Sequence, residues 1–207
     1  MKSFHSIKGS ITAPQGFLAA GMHCGVFQRG KASKAGQKRD LAVIVSEVPA
    51  KAAGMFTTNQ ICAAPVKLCV KHIANGNAQA VVINSGNANA CTGPRGLKDA
   101  REMAALLADE LLLKPEDVLV GSTGRIGLPL PMPNIRAGIR EIVRELDGAP
   151  SAAHHAAEFE FHGDFFRARV AGHNRLGGIG KGAGMIQPGM SPTGARPASA
   201  PVGLIPG

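Results

Sequence analysis

Chemistry in this chain would fall to three loops of small and amide-bearing residues. The first, Asn84 to Gly93 within VVINSGNANACTGPRG, follows the β-branched run Val81, Val82, Ile83 and carries Asn84, Ser85, Gly86, Asn87 and Asn89. Its backbone can take positive φ and leave room for another group. Two readings fit: an Asx-rich turn before a helix, or the polar floor of a pocket. The second loop, Gly121 to Gly127 (GSTGRIG), also follows a strand. In the third, Gly177 to Gly184 (GGIGKGAG), Lys181 precedes Gly182 where a phosphate loop requires Ser or Thr. The acidic residue expected about 20 positions after a dinucleotide fingerprint is also lacking. A nucleotide-binding module would therefore rest on Gly177 to Gly184 alone, and taken singly each loop is most simply a turn. Cys24, Cys62, Cys69 and Cys91 are too widely spaced for a CxxC metal clip, and no His stands at a companion spacing. Each is expected to act as a small buried hydrophobe.

The elements that must position these loops are legible from periodicity. Ile7 to Phe17 reads as an entry strand and turn, Gly21 to Gly30 as a strand, and Lys31 to Arg39 as a basic solvated connection. Leu41 to Val48 is a strand, and Ala53 to Thr58 a second one close enough to suggest a hairpin or antiparallel neighbour. Val66 to Val70 predicts a third short strand, and Ala80 to Ile83 a strand buried on both faces. Ala100, Met103, Ala104, Leu107 and Leu111 form the apolar stripe of a helix over Gly96 to Leu113. Val118 to Val120 is a strand. Ile135, Ile139, Ile142, Val143 and Leu146 mark a second helix starting near Pro133. Phe159 to Phe161 and Phe165 to Val170 predict a hairpin turning at His162 to Asp164. Gln187 to Gly207, with five Pro, four Gly and no acidic residue, predicts a disordered tail.

Composition narrows the class. The 207 residues are 44% apolar, enough for a real core, but eight Phe are the only aromatics, so burial rests on aliphatic side chains, as in layered α/β sheets. A formal charge of +9 permits acidic partners. The positive residues are nonetheless dispersed and have no aromatic platform, which argues against nucleic acid. No apolar run approaches 18 residues and no secretory signal opens the chain, so neither membrane nor export is expected; the default is a reduced, cytoplasmic setting.

Taken in order, the motifs resemble a known family. FTTN at 56–59, AAPV at 63–66, VVINSGNANACTG at 81–93, DAREMA at 99–104, PEDVLVGSTGRIG at 115–127 and GKGAGMIQP at 180–188 are similar to those of the ornithine acetyltransferases, or bifunctional glutamate N-acetyltransferases, of arginine biosynthesis. The match covers residues 7 to 148 and again 177 to 190. It implies a precursor that cuts itself before a Thr, yielding an α chain and a β chain whose terminal Thr is the nucleophile, its own amine serving as base. Acetyl would pass from N-acetylornithine to that Thr and then to glutamate, in a ping-pong sequence. The resemblance gives Thr123 and Gly124 the oxyanion, through hydroxyl and backbone N–H, and gives Lys181 a substrate contact. It implies no cofactor, acetyl-CoA being an alternative acetyl donor as substrate, and a β-chain partner in an α2β2 assembly.

The sequence also departs from that pattern. Where the family continues through a PNMAT segment ending in its nucleophile, this chain reads QPGMSPT at 187–193, so the nucleophile position falls on Pro192 and Thr193 comes one residue late. Ala149 to Ala157 replaces an expected TTDT substrate segment, and His154 and His155 within it are expected to be exposed rather than catalytic. The expectation is a mixed-sheet α/β layered fold like the α half of this family, with residues 1–186 as the domain and 187–207 as the tail. Alone, such a chain would be inactive: a subunit awaiting its β partner, or a noncatalytic remnant. The expected site requires three distant glycine turns, around residues 84–89, 123–124 and 181, to meet in space.

Overall fold

The computed structural model describes residues 5–7, 10–26, 39–147, 167–171, 174–179 and 189–193. Its centre is a mixed four-stranded sheet of β2 (Phe17–Met22), β3 (Leu41–Lys51), β5 (Asn77–Asn84) and β6 (Val118–Ser122), in that spatial order. β3 pairs antiparallel with both β2 and β5, while β5 and β6 are parallel, with Asn84 opposite Ser122 at their carboxyl ends. A parallel pair needs a crossover. Here it is α2 (Gly93–Leu111), so the chain leaves β5, crosses through the helix and returns as β6.

Alternation sends the two sets of strand side chains to different partners. Leu41, Val43, Val45, Ala80, Val82, Val118 and Val120 pack under α1 (Ala64–His72), α2 and α3 (Met132–Ile142), forming one continuous core. The helical stripes are as the periodicity predicts: Ala100, Met103, Ala104, Leu107, Ile135, Ile139 and Ile142 are fully buried, and Leu111, Val143 and Leu146 pack at the margin. Ala19 and Ala42 face the other way, with Ile11, Ile44, Ile83 and Ile179 around them. The run Val81 to Ile83 is therefore not buried on both faces. Val82 lies in the helical core, and Val81 and Ile83 are half-buried on the opposite side.

Other strand expectations are corrected for identifiable reasons. Val66 to Val70 is helical, part of α1; Pro65 stands in its first turn, and Ala64, Pro65, Leu68 and Cys69 make the buried face. Ala53 to Thr58 contributes only β4 (Phe56–Thr57), and β4 pairs with β9 (Met190–Ser191) rather than with β3. That pairing draws part of the expected tail onto the domain. The strand expected over Gly21 to Gly30 ends at Met22 because the buried Asp40 carboxylate accepts from Cys24 N at 2.7 Å and Gly25 N at 3.1 Å, turning the chain away.

A second sheet pairs β1 (His5–Ile7), β7 (Arg167–Ala171) and β8 (Asn174–Gly178), all antiparallel. Val170 thus has partners on both sides that a Phe159–Val170 hairpin would not supply; the first arm of that hairpin, with His154 and His155, lies outside the described residues. Gly177 and Gly178, expected in a loop, are strand residues. A Cβ at Gly177 would run into Ser10 O and reach Ile11 Cα at 2.9 Å, so glycine is there for close backbone approach, not for a turn.

Candidate functional site

The site begins where the parallel strands end. Beyond Asn84 and Ser122 the two loops stay joined: Thr123 N donates to Asn84 O at 3.0 Å, Arg125 N to Gly86 O at 3.3 Å, Ala88 N to Arg125 O at 2.8 Å and Gly127 N to Ala90 O at 2.9 Å. Asn87 bridges both Thr123 and Arg125. Carboxyl ends of adjacent parallel strands are where α/β sheets open a crevice for ligands. The approach is close enough that Gly124, at φ 131°, could carry no side chain: its Cβ would collide with the backbone of Gly86 and Asn87.

The amides of the first loop do not floor a pocket. Asn84 and Asn89 are fully buried and Asn87 nearly so. Asn84 Nδ2 donates to Asn87 O at 2.8 Å, and its Oδ1 accepts from Ser122 Oγ at 2.6 Å. Asn87 Nδ2 donates to Leu128 O and Pro129 O, and its Oδ1 accepts from Asn89 N at 2.8 Å. Asn89 Nδ2 donates to Gly96 O at 2.8 Å, fastening the loop to the first turn of α2, and its Oδ1 accepts from Thr92 Oγ1 at 2.7 Å. Each amide thus bonds through both its oxygen and its nitrogen to the protein, which makes this loop a brace; the Asx-turn reading holds and the pocket-floor reading does not.

What the brace holds out is the second loop. Thr123 is half-buried and Gly124 exposed, and neither the Thr123 hydroxyl nor the Gly124 N–H has a hydrogen-bond partner among the described residues. A hydroxyl and an adjacent amide, both unspent on a pinned backbone, are suited to a developing negative oxygen. Two of the three expected turns therefore meet. Lys181 lies outside the described residues. Gly189 to Thr193 is described: Gly189 O accepts Thr58 N at 2.7 Å, and Pro192 and Thr193 are exposed just past β9.

A separate open cleft of about 620 Å³ lies between the entries to α1 and α2, lined by residues including Gln60, Cys62, Lys67, Cys91 and Leu97, with neither Thr123 nor Gly124 among them. Its lining comes from two separate stretches, and although Ala64 and Cys91 to Gly93 fall within two of the quoted motifs, neither motif by itself signals a cleft. It also corrects the view of all four cysteines as buried: Cys69 is buried, but Cys24 and Cys62 are intermediate and Cys91 is exposed. No group of three metal-ligating side chains occurs among the described residues, and no helix there is long and apolar enough to cross a membrane.

Residues 19–194 match the model of the ArgJ family. The chain belongs to the ArgJ family. It is 45% identical over 192 residues to the arginine biosynthesis bifunctional protein ArgJ of Symbiobacterium thermophilum, covering 89% of this chain and 46% of the relative. The Shouchella clausii ArgJ is 42% identical over 194 residues, covering 92% and 46%. The chain thus spans about half the length of the curated ArgJ relatives it matches. Among solved structures, the ornithine acetyltransferase of Mycobacterium tuberculosis, in complex with ornithine, superposes with a TM-score of 0.80 at 36% identity, covering 91% of this chain and all of that one. ArgJ from Bacillus halodurans gives 0.77 at 37% identity, with the same coverage. These ArgJ structures share the mixed α/β architecture read from the sequence.

Proposed function

We propose that this chain supplies the oxyanion-stabilising half of an acetyl-transfer site in arginine biosynthesis, moving acetyl from N-acetylornithine to glutamate. A β chain of the same family completes the site with the nucleophilic Thr, in an α2β2 cytoplasmic enzyme formed by self-cleavage of a precursor. The Thr hydroxyl adds to the acetyl carbonyl as its terminal amine takes the proton, and the carbonyl oxygen becomes an anion held by Thr123 Oγ1 and Gly124 N–H. Collapse expels ornithine and leaves an acetyl ester; glutamate's amine repeats the cycle and carries the acetyl away. Lys181 contacts the substrate, and acetyl-CoA is an alternative donor rather than a bound cofactor. The observation that carries this reading is the pair of unspent donors on a loop whose neighbours are otherwise hydrogen-bonded to one another.

One observation favours a second reading, a noncatalytic subunit or remnant. Pro192, which has no hydroxyl, stands where the family's nucleophile is expected. The test is ornithine release from N-acetylornithine and glutamate, with the purified chain alone, with a separately supplied family β chain, and with acetyl-CoA replacing N-acetylornithine in a parallel assay of glutamate acetylation. Release only with the β chain supports the proposal. Release by the chain alone contradicts the need for a partner, and no release in any arm favours the remnant.

A further inference from the structure

The fold sorts the four free cysteines into two unlike pairs. Cys69 Sγ is engaged with Val120, as donor to its O at 3.2 Å and acceptor from its N at 3.3 Å, and burial pushes its thiol pKa up. Cys24 packs against the helical core, where burial first and the Asp40 charge second hold its thiol protonated. Neither is disposed to react. Cys62 and Cys91 instead line the same open cleft, with the exposed Lys67 on its wall.

Their placement has a common origin. Cys62 directly precedes the N-cap Ala63 of α1, and Cys91 directly precedes the N-cap Thr92 of α2. Ala64 N donates to Asn89 O at 3.1 Å, so the two entering segments are tied together within two residues of both thiols. No side chain caps either helix; the first amide of α1 is instead taken by Asn89 O, and Pro65 and Pro94 bring no N–H to the two first turns. Cys91 is exposed and Cys62 only partly so, which gives an oxidant entering the cleft its first access to Cys91.

We propose that this cleft is a peroxide-responsive dithiol site, with Cys91 the thiol that attacks the peroxide and Cys62 the resolving thiol. Cys91 Sγ attacks one peroxide oxygen, the O–O bond breaks, and hydroxide leaves to become water with the proton Cys91 had released. The resulting sulfenic acid is displaced by Cys62 Sγ, forming the S–S bond and releasing a second water. Two thiols and one hydrogen peroxide thus give one disulfide and two waters, and a small thiol reductant reverses it. The crosslink would lock the entry of α1 to the segment just beyond Asn89, tightening the brace described above. Because it depends on the thiols alone, the proposal stands or falls independently of acetyl transfer.

The test treats the full chain with hydrogen peroxide near equimolar and reads intact mass and non-reducing peptide maps, beside Cys62→Ser and Cys91→Ser. A disulfide needs Cα atoms about 4.4–6.8 Å apart, so crosslinking also reports the approach of the two segments. Expected are loss of two hydrogens mapped to a Cys62–Cys91 peptide and a sulfenic acid on Cys91, trapped by dimedone, in Cys62→Ser. Cys91→Ser should consume peroxide roughly tenfold more slowly. A bond mapped to any other pair, sulfinic acid accumulating on Cys91 while Cys62 stays reduced, or intermolecular dimers as the first product would each overturn it. The wild-type map decides the matter even if a variant folds poorly.

Discussion

Residues 84–89 and 122–128 leave the ends of neighbouring parallel strands; the first loop is built from small and amide residues, and the second sets Ser122, Thr123 and two glycines among Arg125, Ile126 and Leu128. They differ in depth. Asn84, Ser85, Asn87 and Asn89 are buried, whereas Gly124 to Pro129 are exposed. A buried amide must find partners inside the protein or carry a desolvation penalty, so the first loop spends its side chains on its own backbone and on α2. An exposed loop has water as an alternative partner, so it can keep donors free for a reacting group. Polar residues near a site thus divide into those that hold it and those that act.

Four substitutions test whether the two loops divide in this way. Asn89→Ala removes the bonds to Gly96 O and Thr92 Oγ1 in a fully buried position, and should cost about 3 kcal/mol in urea unfolding. A loss under about 1 kcal/mol would show that the first loop is not a brace. Gly124→Ala places a Cβ against Gly86 and Asn87 at φ 131°, so about 2 kcal/mol of strain is expected, and hydrogen exchange should rise across both loops together.

Asp99→Asn probes a buried polar group that lacks what the asparagines have: its Oδ2 has no hydrogen-bond partner among the described residues. Burial, opposed by Arg95, raises its carboxyl pKa above the usual value. Asp99 therefore binds its proton more tightly folded than unfolded. Its contribution is most favourable below the ordinary carboxylate pKa and is lost as pH rises through the raised one. The variant should gain a little stability at pH 7 and none at pH 3; a gain at pH 3 equal to that at pH 7 would rule out titration as the cause. Thr123→Ala should change stability by less than about 0.5 kcal/mol. With a β chain present it should nonetheless slow ornithine release roughly 100-fold, and a stability loss comparable to Asn89→Ala would erase the distinction between the loops.

The exposed Ile126 and Leu128 beside the candidate donors extend the same contrast, since they leave apolar surface where the brace leaves none. Light scattering on the isolated chain should show self-association. A clean monomer at high concentration would count against a missing partner on this face.

Much of this was legible in the chain itself. Repeats at helical spacing located α2 and α3, β-branched runs located β3, β5 and β6, and six ordered motifs pointed to the ArgJ family and to Thr123 and Gly124. Those signals are local: each depends on residues a few positions apart. Only the tertiary structure decided which asparagines were already spent, that Val66 to Val70 is helical, that Gly177 lies in a strand, and that Cys62 and Cys91 share a cleft. Part of that hydrogen-bond satisfaction is local, as in Asn84 with Asn87 and Asn89 with Thr92, but the rest is set by partners far away in the chain, as when Asn84 meets Ser122 and Gly177 meets Ser10. No short window of sequence contains both members of such a pair.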